Sequence, residues 1–120
     1  MKTILVADDD SVSRSLIRDI LDPRRYEIVE ACNGREALER IAERAPDLLL
    51  LDIQMPLLDG FAVLRQVRGD PRFPGLPVAA VTAMAMPDER GRALATGFDA
   101  VITKPIVPAA LRAQVQALVG

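Results

Sequence analysis

The sequence of 120 residues contains no histidine and only one cysteine, Cys32. The lack of histidine excludes Ser-His-Asp and Cys-His nucleophile systems and the usual zinc sites. Any bound metal therefore needs oxygen ligands, which favours magnesium, calcium or manganese. A lone cysteine cannot form an internal disulfide, which agrees with a reducing cytoplasm. We interpret Cys32 itself as a small core residue at the end of a strand.

The sequence also lacks long apolar runs and a strong excess of one charge. No segment approaches the ~20 apolar residues that span a bilayer, so no membrane association is expected. The net charge is −2, which gives no reason to expect direct nucleic-acid binding. Met1-Lys2-Thr3 leads directly into a predicted strand rather than a signal peptide, so we expect a cytoplasmic protein.

Strand-like and helix-like segments alternate along the chain. Four consecutive leucines, Leu48–Leu51, indicate a strand that is buried on both faces, as in a parallel sheet. Four more strands are predicted at Thr3–Ala7, Tyr26–Ala31, Val78–Thr82 and Ala100–Thr103. Apolar residues recur at helical spacing after each strand, including Val12, Leu16, Ile17, Ile20 and Leu21 after the first and Ala37, Leu38, Ile41, Ala42 and Ala45 after the second.

This alternation predicts an α/β fold in which a single domain spans residues 1–120. Five βα units would form a parallel sheet with helices on both faces, a (βα)5 three-layer sandwich. Right-handed crossovers leave few topologies, and the flavodoxin-like strand order 2-1-3-4-5 is the commonest at this size. Strands 1 and 3 are neighbours in that order, so we expect the acids that follow them, Asp8, Asp9 and Asp52, to meet.

Polar and charged side chains end four of the five predicted strands at this edge. They are Asp8-Asp9, Asp52, Thr82 and Lys104 after strands 1, 3, 4 and 5. Each has an ordinary alternative explanation. The first acids could cap a helix, and Asp52 could be a turn residue. Thr82 could be an ordinary β-branched strand residue, and Lys104 a surface charge. The combination is harder to explain in that way, because converging carboxylates repel one another unless a cation neutralises them.

A phosphoryl-accepting site would account for the whole set. A hard divalent cation with oxygen ligands neutralises carboxylates and commonly binds phosphate as well. A hydroxyl and an ammonium group suit the oxygens of a phosphoryl group. Aspartate is also a competent nucleophile toward phosphorus, with an acyl phosphate as the product. The residues therefore predict a phosphoacceptor aspartate, Asp52, with a metal ion and a charge clamp around it.

The chain resembles the receiver domain of bacterial two-component response regulators over its whole length. Four segments in order carry the resemblance: Ile4-Leu5-Val6-Ala7-Asp8-Asp9-Asp10, Leu51-Asp52-Ile53-Gln54-Met55-Pro56 with Asp59-Gly60, Val81-Thr82-Ala83, and Lys104-Pro105. It implies that Asp52 accepts a phosphoryl group from the phosphohistidine of a histidine kinase or a histidine phosphotransfer protein. It also implies contact with a downstream protein target and no catalysis beyond the domain's own phosphorylation and autodephosphorylation.

The same resemblance implies a role for each site residue. Mg²⁺, or Mn²⁺ in its place, would be held by Asp9, Asp52, the backbone carbonyl of Gln54 and, through water, Asp8. The side chains of Thr82 and Lys104 and the backbone N–H of Ala83 would bind the phosphoryl oxygens. The Lys104–Pro105 peptide would be cis, an isomer that is accessible for X-Pro bonds.

The chain departs from the family at positions that matter for switching. Val101 stands where many receivers carry a tyrosine or phenylalanine, so we expect a muted or differently built readout on the surface of the last two helices. Gln54 and Met84 occupy the positions through which the family tunes the access of hydrolytic water. Because Met84 cannot orient water by a hydrogen bond, we expect slow autodephosphorylation.

Three other interpretations remain open. A phosphohydrolase of the haloacid-dehalogenase type needs a second acid two residues after its nucleophile, where this chain has Gln54. A flavodoxin would need a hydroxyl-rich first loop, whereas Asp8-Asp9-Asp10 would repel a phosphate. A degenerate receiver would serve only as a docking module. The chain ends at Gly120 after the fifth helix, so we expect a stand-alone regulator, a monomer or weak dimer, or a piece of a larger protein such as a hybrid kinase.

Overall fold

Strands and helices alternate through the computed structural model, which describes residues 1–83 and 87–119. The strands are β1 (Lys2–Ala7), β2 (Tyr26–Ala31), β3 (Leu48–Asp52), β4 (Val78–Thr82) and β5 (Ala100–Thr103). The helices are α1 (Ser11–Leu21), α2 (Gly34–Glu43), α3 (Gly60–Gly69), α4 (Pro87–Thr96) and α5 (Pro108–Val119). No helix in the described part of the chain is long and apolar enough to cross a membrane.

The five strands form one parallel sheet in the order β2-β1-β3-β4-β5. Ala7, the last residue of β1, pairs with Leu51, and Asp52 at the end of β3 pairs with Val81. Thr82 and Thr103 pair at the ends of β4 and β5. The flavodoxin-like fold predicted from the sequence is confirmed, and the ends of β1, β3, β4 and β5 lie side by side at the carboxyl edge of the sheet.

The four leucines of β3 divide between the two faces of the sheet because successive strand residues point in opposite directions. Leu49 and Leu51 belong to the cluster beneath α2, α3 and α4. Leu48 and Leu50 belong to the opposite cluster, beneath α1 and α5. All four are fully buried. This two-sided burial explains why the strand is continuously apolar up to Asp52.

Aspartate and asparagine residues begin the first three helices. Asp10 accepts a hydrogen bond from the N–H of Val12 at 3.0 Å, Asn33 from Glu36 and Asp59 from Ala62. Such caps satisfy backbone N–H groups that have no partner within a helix. The loop acids therefore have two separate duties: Asp10 and Asp59 start helices, whereas Asp8 and Asp52 are left for other contacts.

Several expectations about side-chain burial are wrong, among them those that placed Ala42 and Ala45 on the buried face of the second helix, since both are exposed. Cys32 is exposed, and it directly follows the edge strand β2. Val12 and Leu16 were expected on the buried face of α1 but are 72% and 43% exposed. The helix instead buries Ile17 and Leu21, which lie further from the carboxyl edge of the sheet.

Candidate functional site

Two carboxylates are buried together at the carboxyl edge of the sheet. Asp8 directly follows β1, and Asp52 is the last residue of its neighbour β3. Their exposed fractions are 1% and 5%, far below what is usual for aspartate. The parallel pairing of β1 with β3 places them next to one another, as the sequence predicted.

Lys104 joins the two acids. Its Nζ lies 3.0 Å from Oδ2 of Asp8 and 3.3 Å from Oδ2 of Asp52. The remaining oxygens accept backbone hydrogen bonds: Oδ1 of Asp8 from the N–H of Asp10 at 2.9 Å, and Oδ1 of Asp52 from the N–H of Gln54 at 3.0 Å. A buried charge that is paired and hydrogen-bonded in this way is tolerated, whereas an isolated one is not.

The environment still disfavours a negative charge on Asp52. Burial raises the pKa of the Asp52 carboxyl, and the nearby charge of Asp8 raises it further, although the bond from Gln54 and the charge of Lys104 oppose the shift. For Lys104, burial works against the ammonium form, but the hydrogen bond to Asp8 and the charge of Asp52 outweigh it and raise its pKa. One lysine therefore only partly neutralises this pair of acids.

The donor set fits a divalent cation. Carboxylate oxygens of Asp8, Asp9 and Asp52 all lie within 4.8 Å of one another, and Asp9 is exposed to solvent. Three acids with oxygen donors suit Mg²⁺ or Mn²⁺, and the negative charge that Lys104 leaves uncompensated favours a cation. Gln54 lies in the same loop, where its N–H is bonded to Asp52.

Thr82 lies at the end of β4, and Lys104 directly follows β5. Thr82 is buried, and its backbone carbonyl accepts a hydrogen bond from the N–H of Lys104 at 2.8 Å. Ala83, the next residue, is exposed. The Lys104–Pro105 peptide bond is cis. The structure thus brings Asp8, Asp9 and Asp52 together with Lys104, and it places Thr82 on the neighbouring strand end.

Gly60 allows the loop after Asp52 to fold back onto the strand end. Its N–H donates to the carbonyl of Ile53 at 2.9 Å. A Cβ at this position would lie 2.7 Å from the carbonyl oxygen of Asp52 and 2.7 Å from the Cα of Ile53. Only glycine permits so close a backbone approach, which explains the Asp59-Gly60 pair without invoking chemistry.

The two positions that depart from the family differ in what the structure says about them. Val101 is 4% exposed and packs in the same core cluster as Ala93 and Phe98. Met84 lies outside the described residues.

The sequence reasoning missed Arg14, whose NH1 donates to the backbone carbonyl of Asp8 at 2.6 Å. No motif or spacing in the sequence signals that contact, because it depends on how α1 packs beside β1.

Comparison with known proteins agrees with this geometry. Residues 4–116 match the family described as the response regulator receiver domain. The polar-differentiation response regulator DivK of Brucella anthropi is 37% identical over 105 residues, which cover 88% of this chain and 85% of DivK.

Two solved structures have the same fold. The receiver domain of a signal transduction histidine kinase from Syntrophus aciditrophicus is 32% identical, with a TM-score of 0.89 over 99% of this chain and 90% of that one. The chemotaxis response regulator CheY4 of Vibrio cholerae is 27% identical, with a TM-score of 0.91 over 98% of both chains.

Proposed function

The chain belongs to the response regulator receiver domains, and we propose that it is a phosphoacceptor signalling domain, with residues 1–120 acting as one unit. Asp52 takes a phosphoryl group from the phosphohistidine of a histidine kinase or a histidine phosphotransfer protein. The observation that carries this proposal is the buried contact of Asp52 with Lys104, which also binds Asp8. A lysine that served only to stabilise the fold would need one acid as its partner, whereas Lys104 binds two.

The chemistry at Asp52 is a phosphoryl transfer between two nucleophiles. A carboxylate oxygen of Asp52 attacks phosphorus, the new P–O bond forms as the P–N bond of phosphohistidine breaks, and the imidazole nitrogen keeps the electron pair. Lys104 lies within hydrogen-bond distance of Asp52 and binds an oxygen of the transferred group. The Thr82 hydroxyl and the Ala83 N–H bind the other oxygens.

A divalent cation, Mg²⁺ or Mn²⁺, would supply the charge that draws the phosphoryl oxygens toward these acids. Asp9, Asp52 and the Gln54 carbonyl would hold it, and Asp8 would act through a bound water. The observation that supports this assignment is the cluster of carboxylate oxygens within 4.8 Å. The partial charge compensation by Lys104 points the same way.

The phosphohistidine donor lies outside residues 1–120, which contain no histidine. Apolar side chains at the rim of the site offer a contact for it. Val12 follows the acidic loop and is 72% exposed, and Val107 follows the lysine loop and is 58% exposed. Leu16 lies one turn after Val12 on the same helix. Exposed aliphatic side chains beside a polar centre are typical of protein-docking surfaces.

The phosphorylated domain switches its contacts with a downstream protein target and acts as a cytoplasmic monomer or weak dimer. It catalyses only its own phosphorylation and slow autodephosphorylation. Position 101 holds a buried valine, so the signal does not depend on an aromatic ring that changes its exposure at this position. We expect Met84→Glu to shorten the life of the phosphoryl group, because a carboxylate orients water. Equal decay rates of the two phosphorylated proteins would contradict that role.

Intact-mass measurement after incubation with Mg²⁺ and a small phosphodonor tests the proposal. The wild type should gain one phosphoryl group and Asp52→Asn none. Asp47→Asn is the matched control, because Asp47 directly precedes the same strand at the opposite edge of the sheet, and it should be modified like the wild type. A wild type that neither the small donor nor any histidine kinase modifies would instead favour a receiver that only docks.

A further inference from the structure

Asp8 is held by hydrogen bonds on every polar atom. Its carboxylate oxygens accept from Asp10 and Lys104. Its backbone N–H donates to the carbonyl of Ala31 at 3.0 Å, and its backbone carbonyl accepts from Arg14 at 2.6 Å. The next residue differs: within residues 1–83 and 87–119, the Asp9 side chain has no hydrogen bond or ion pair. The position of Asp9 therefore depends on the backbone that precedes it.

Arg14 reaches the Asp8 carbonyl from a fixed position. Its side chain is only 17% exposed, and its Nε lies 3.2 Å from Oε1 of Glu30 near the end of β2. The other oxygen of Glu30 lies 2.8 Å from NH1 of Arg18, one turn further along α1. The guanidinium of Arg14 is thus held between a strand and a loop. The guanidinium of Arg18 is more exposed, and among the described residues its hydrogen bond is to Glu30.

We propose that Arg14 is a positioning residue for the cation site, acting through the peptide plane between Asp8 and Asp9. This inference rests on the proposed function, since it concerns the cation that Asp9 would bind. A peptide unit is planar, so a hydrogen bond that fixes the Asp8 carbonyl also fixes the direction of the Asp9 N–H and the placement of the Asp9 Cα. Glu30 supports this by orienting Arg14.

Mg²⁺ makes such positioning valuable. It demands near-ideal octahedral geometry, so a ligand with free rotation of its preceding peptide would bind it more weakly. Loss of groups that orient metal ligands typically weakens metal binding by about 10–100-fold. Simple electrostatics predicts the opposite sign, because removal of a positive charge near a cation site should strengthen cation binding. The direction of the change therefore separates positioning from charge.

The test compares Arg14→Met with Arg18→Met by calorimetric titration of Mg²⁺. Both substitutions remove one guanidinium bonded to Glu30, but only the first removes the donor to the Asp8 carbonyl. We expect Arg14→Met to weaken Mg²⁺ binding about tenfold or more. Arg18→Met should change it less than about twofold, and any change should be toward tighter binding. Arg14→Lys, which keeps the charge and one donor, should fall between wild type and Arg14→Met.

A second readout separates positioning from a loss of folded protein. In phosphorylation by a small donor, Arg14→Met should need about tenfold more Mg²⁺ for half-maximal rate, yet approach the wild-type rate at saturation. Unfolding of part of the sample would lower the maximal rate and leave the half-saturating concentration unchanged.

Three outcomes would overturn the inference. The first is Mg²⁺ binding by Arg14→Met that equals or exceeds that of Arg18→Met. The second concerns Glu30→Gln, which is needed if Arg14→Met does not fold. This variant keeps Arg14 but weakens its bond to Glu30, so Mg²⁺ binding should weaken by several-fold. A Glu30→Gln variant that binds Mg²⁺ with wild-type affinity would refute the positioning role. The third, a wild type that binds no Mg²⁺, would refute the proposed cation site itself.

Discussion

Both ends of strand β3 carry an aspartate, and the two lie in opposite environments. Asp47 before the strand is exposed, accepts the N–H of Thr3 at 2.7 Å and donates its own N–H to the carbonyl of Thr3 at 2.8 Å. Asp52 at the exit is buried against a second carboxylate, and its pKa is raised by that burial. The same residue type is therefore hydrogen-bonded to the backbone at the entrance of the strand, whereas at the exit burial disfavours its negative charge.

The exit loop contains two further features that the entrance lacks. Gly60 packs directly on the backbone of Asp52. Leu57 has a φ of 69°, in the left-handed region that leucine rarely adopts. Gly60 follows from this packing alone, whereas natural proteins retain a strained backbone such as that of Leu57 mainly where function requires it. The contrast indicates that the exit of β3 is built for chemistry and its entrance for stability, and four substitutions test it.

Gly60→Ala should have the largest effect. The new Cβ would meet the backbone of Asp52 and Ile53, which cannot move aside without shifting the strand end, so we expect a loss of about 2–3 kcal/mol in urea unfolding. Gly69→Ala is the control, because a Cβ at this opposite end of the same helix would meet no atom of another described element within 4 Å. It should be neutral or slightly stabilising, by up to about 1 kcal/mol. Equal losses in the two variants would show that the exit loop is not tightly packed.

Asp47→Ala should destabilise the entrance by about 1–2 kcal/mol, because it leaves the N–H of the buried Thr3 without its acceptor. Asp47→Asn keeps an oxygen that can accept this bond and should lose about half as much or less. Both are measured by urea unfolding followed by circular dichroism. If alanine and asparagine cost the same, the stabilisation at the entrance does not come from this hydrogen bond.

Asp52→Asn should act in the opposite direction and raise stability by about 1 kcal/mol at neutral pH without divalent cations. The folded-state pKa of Asp52 lies above the model-compound value of 3.8, so the folded protein holds that proton more tightly than the unfolded chain. The stability that this proton binding contributes is complete below pH 3.8 and is lost as pH rises through the folded pKa. The advantage of Asp52→Asn should therefore be small near pH 4 and grow toward neutral pH.

Thermal unfolding of both proteins from pH 4 to 8 measures this difference. Saturating Mg²⁺ should reduce or reverse the advantage of the asparagine variant, because a cation bound to the wild-type acids stabilises the folded state. An asparagine variant that is less stable than wild type at neutral pH would mean that the bond to Lys104 outweighs the repulsion from Asp8. The contrast between Asp47 and Asp52 would then fail.

The sequence was sufficient for the sheet and for the acids at its edge, and insufficient for the contacts that hold them. Four leucines in succession require burial on both faces, so the position of Asp52 follows from the chain alone. Cys32 and Val12 were misplaced because their burial depends on which neighbour covers an edge strand or the first turn of a helix. Arg14 was missed for the same reason, since its partner is a backbone carbonyl.

Leu57→Gly should produce the smallest change, a gain of about 0.5 kcal/mol. The side chain is 77% exposed, so little packing is lost, and the left-handed φ of 69° disfavours any residue with a Cβ by about 1–2 kcal/mol. The greater freedom of glycine in the unfolded chain offsets about 0.5–1 kcal/mol of that relief. Leu57→Ala is the matched control, because it removes the same exposed side chain but keeps the Cβ and hence the strain. A gain with alanine as large as with glycine would mean that the exposed leucine, and not its backbone, limits the stability of the exit loop.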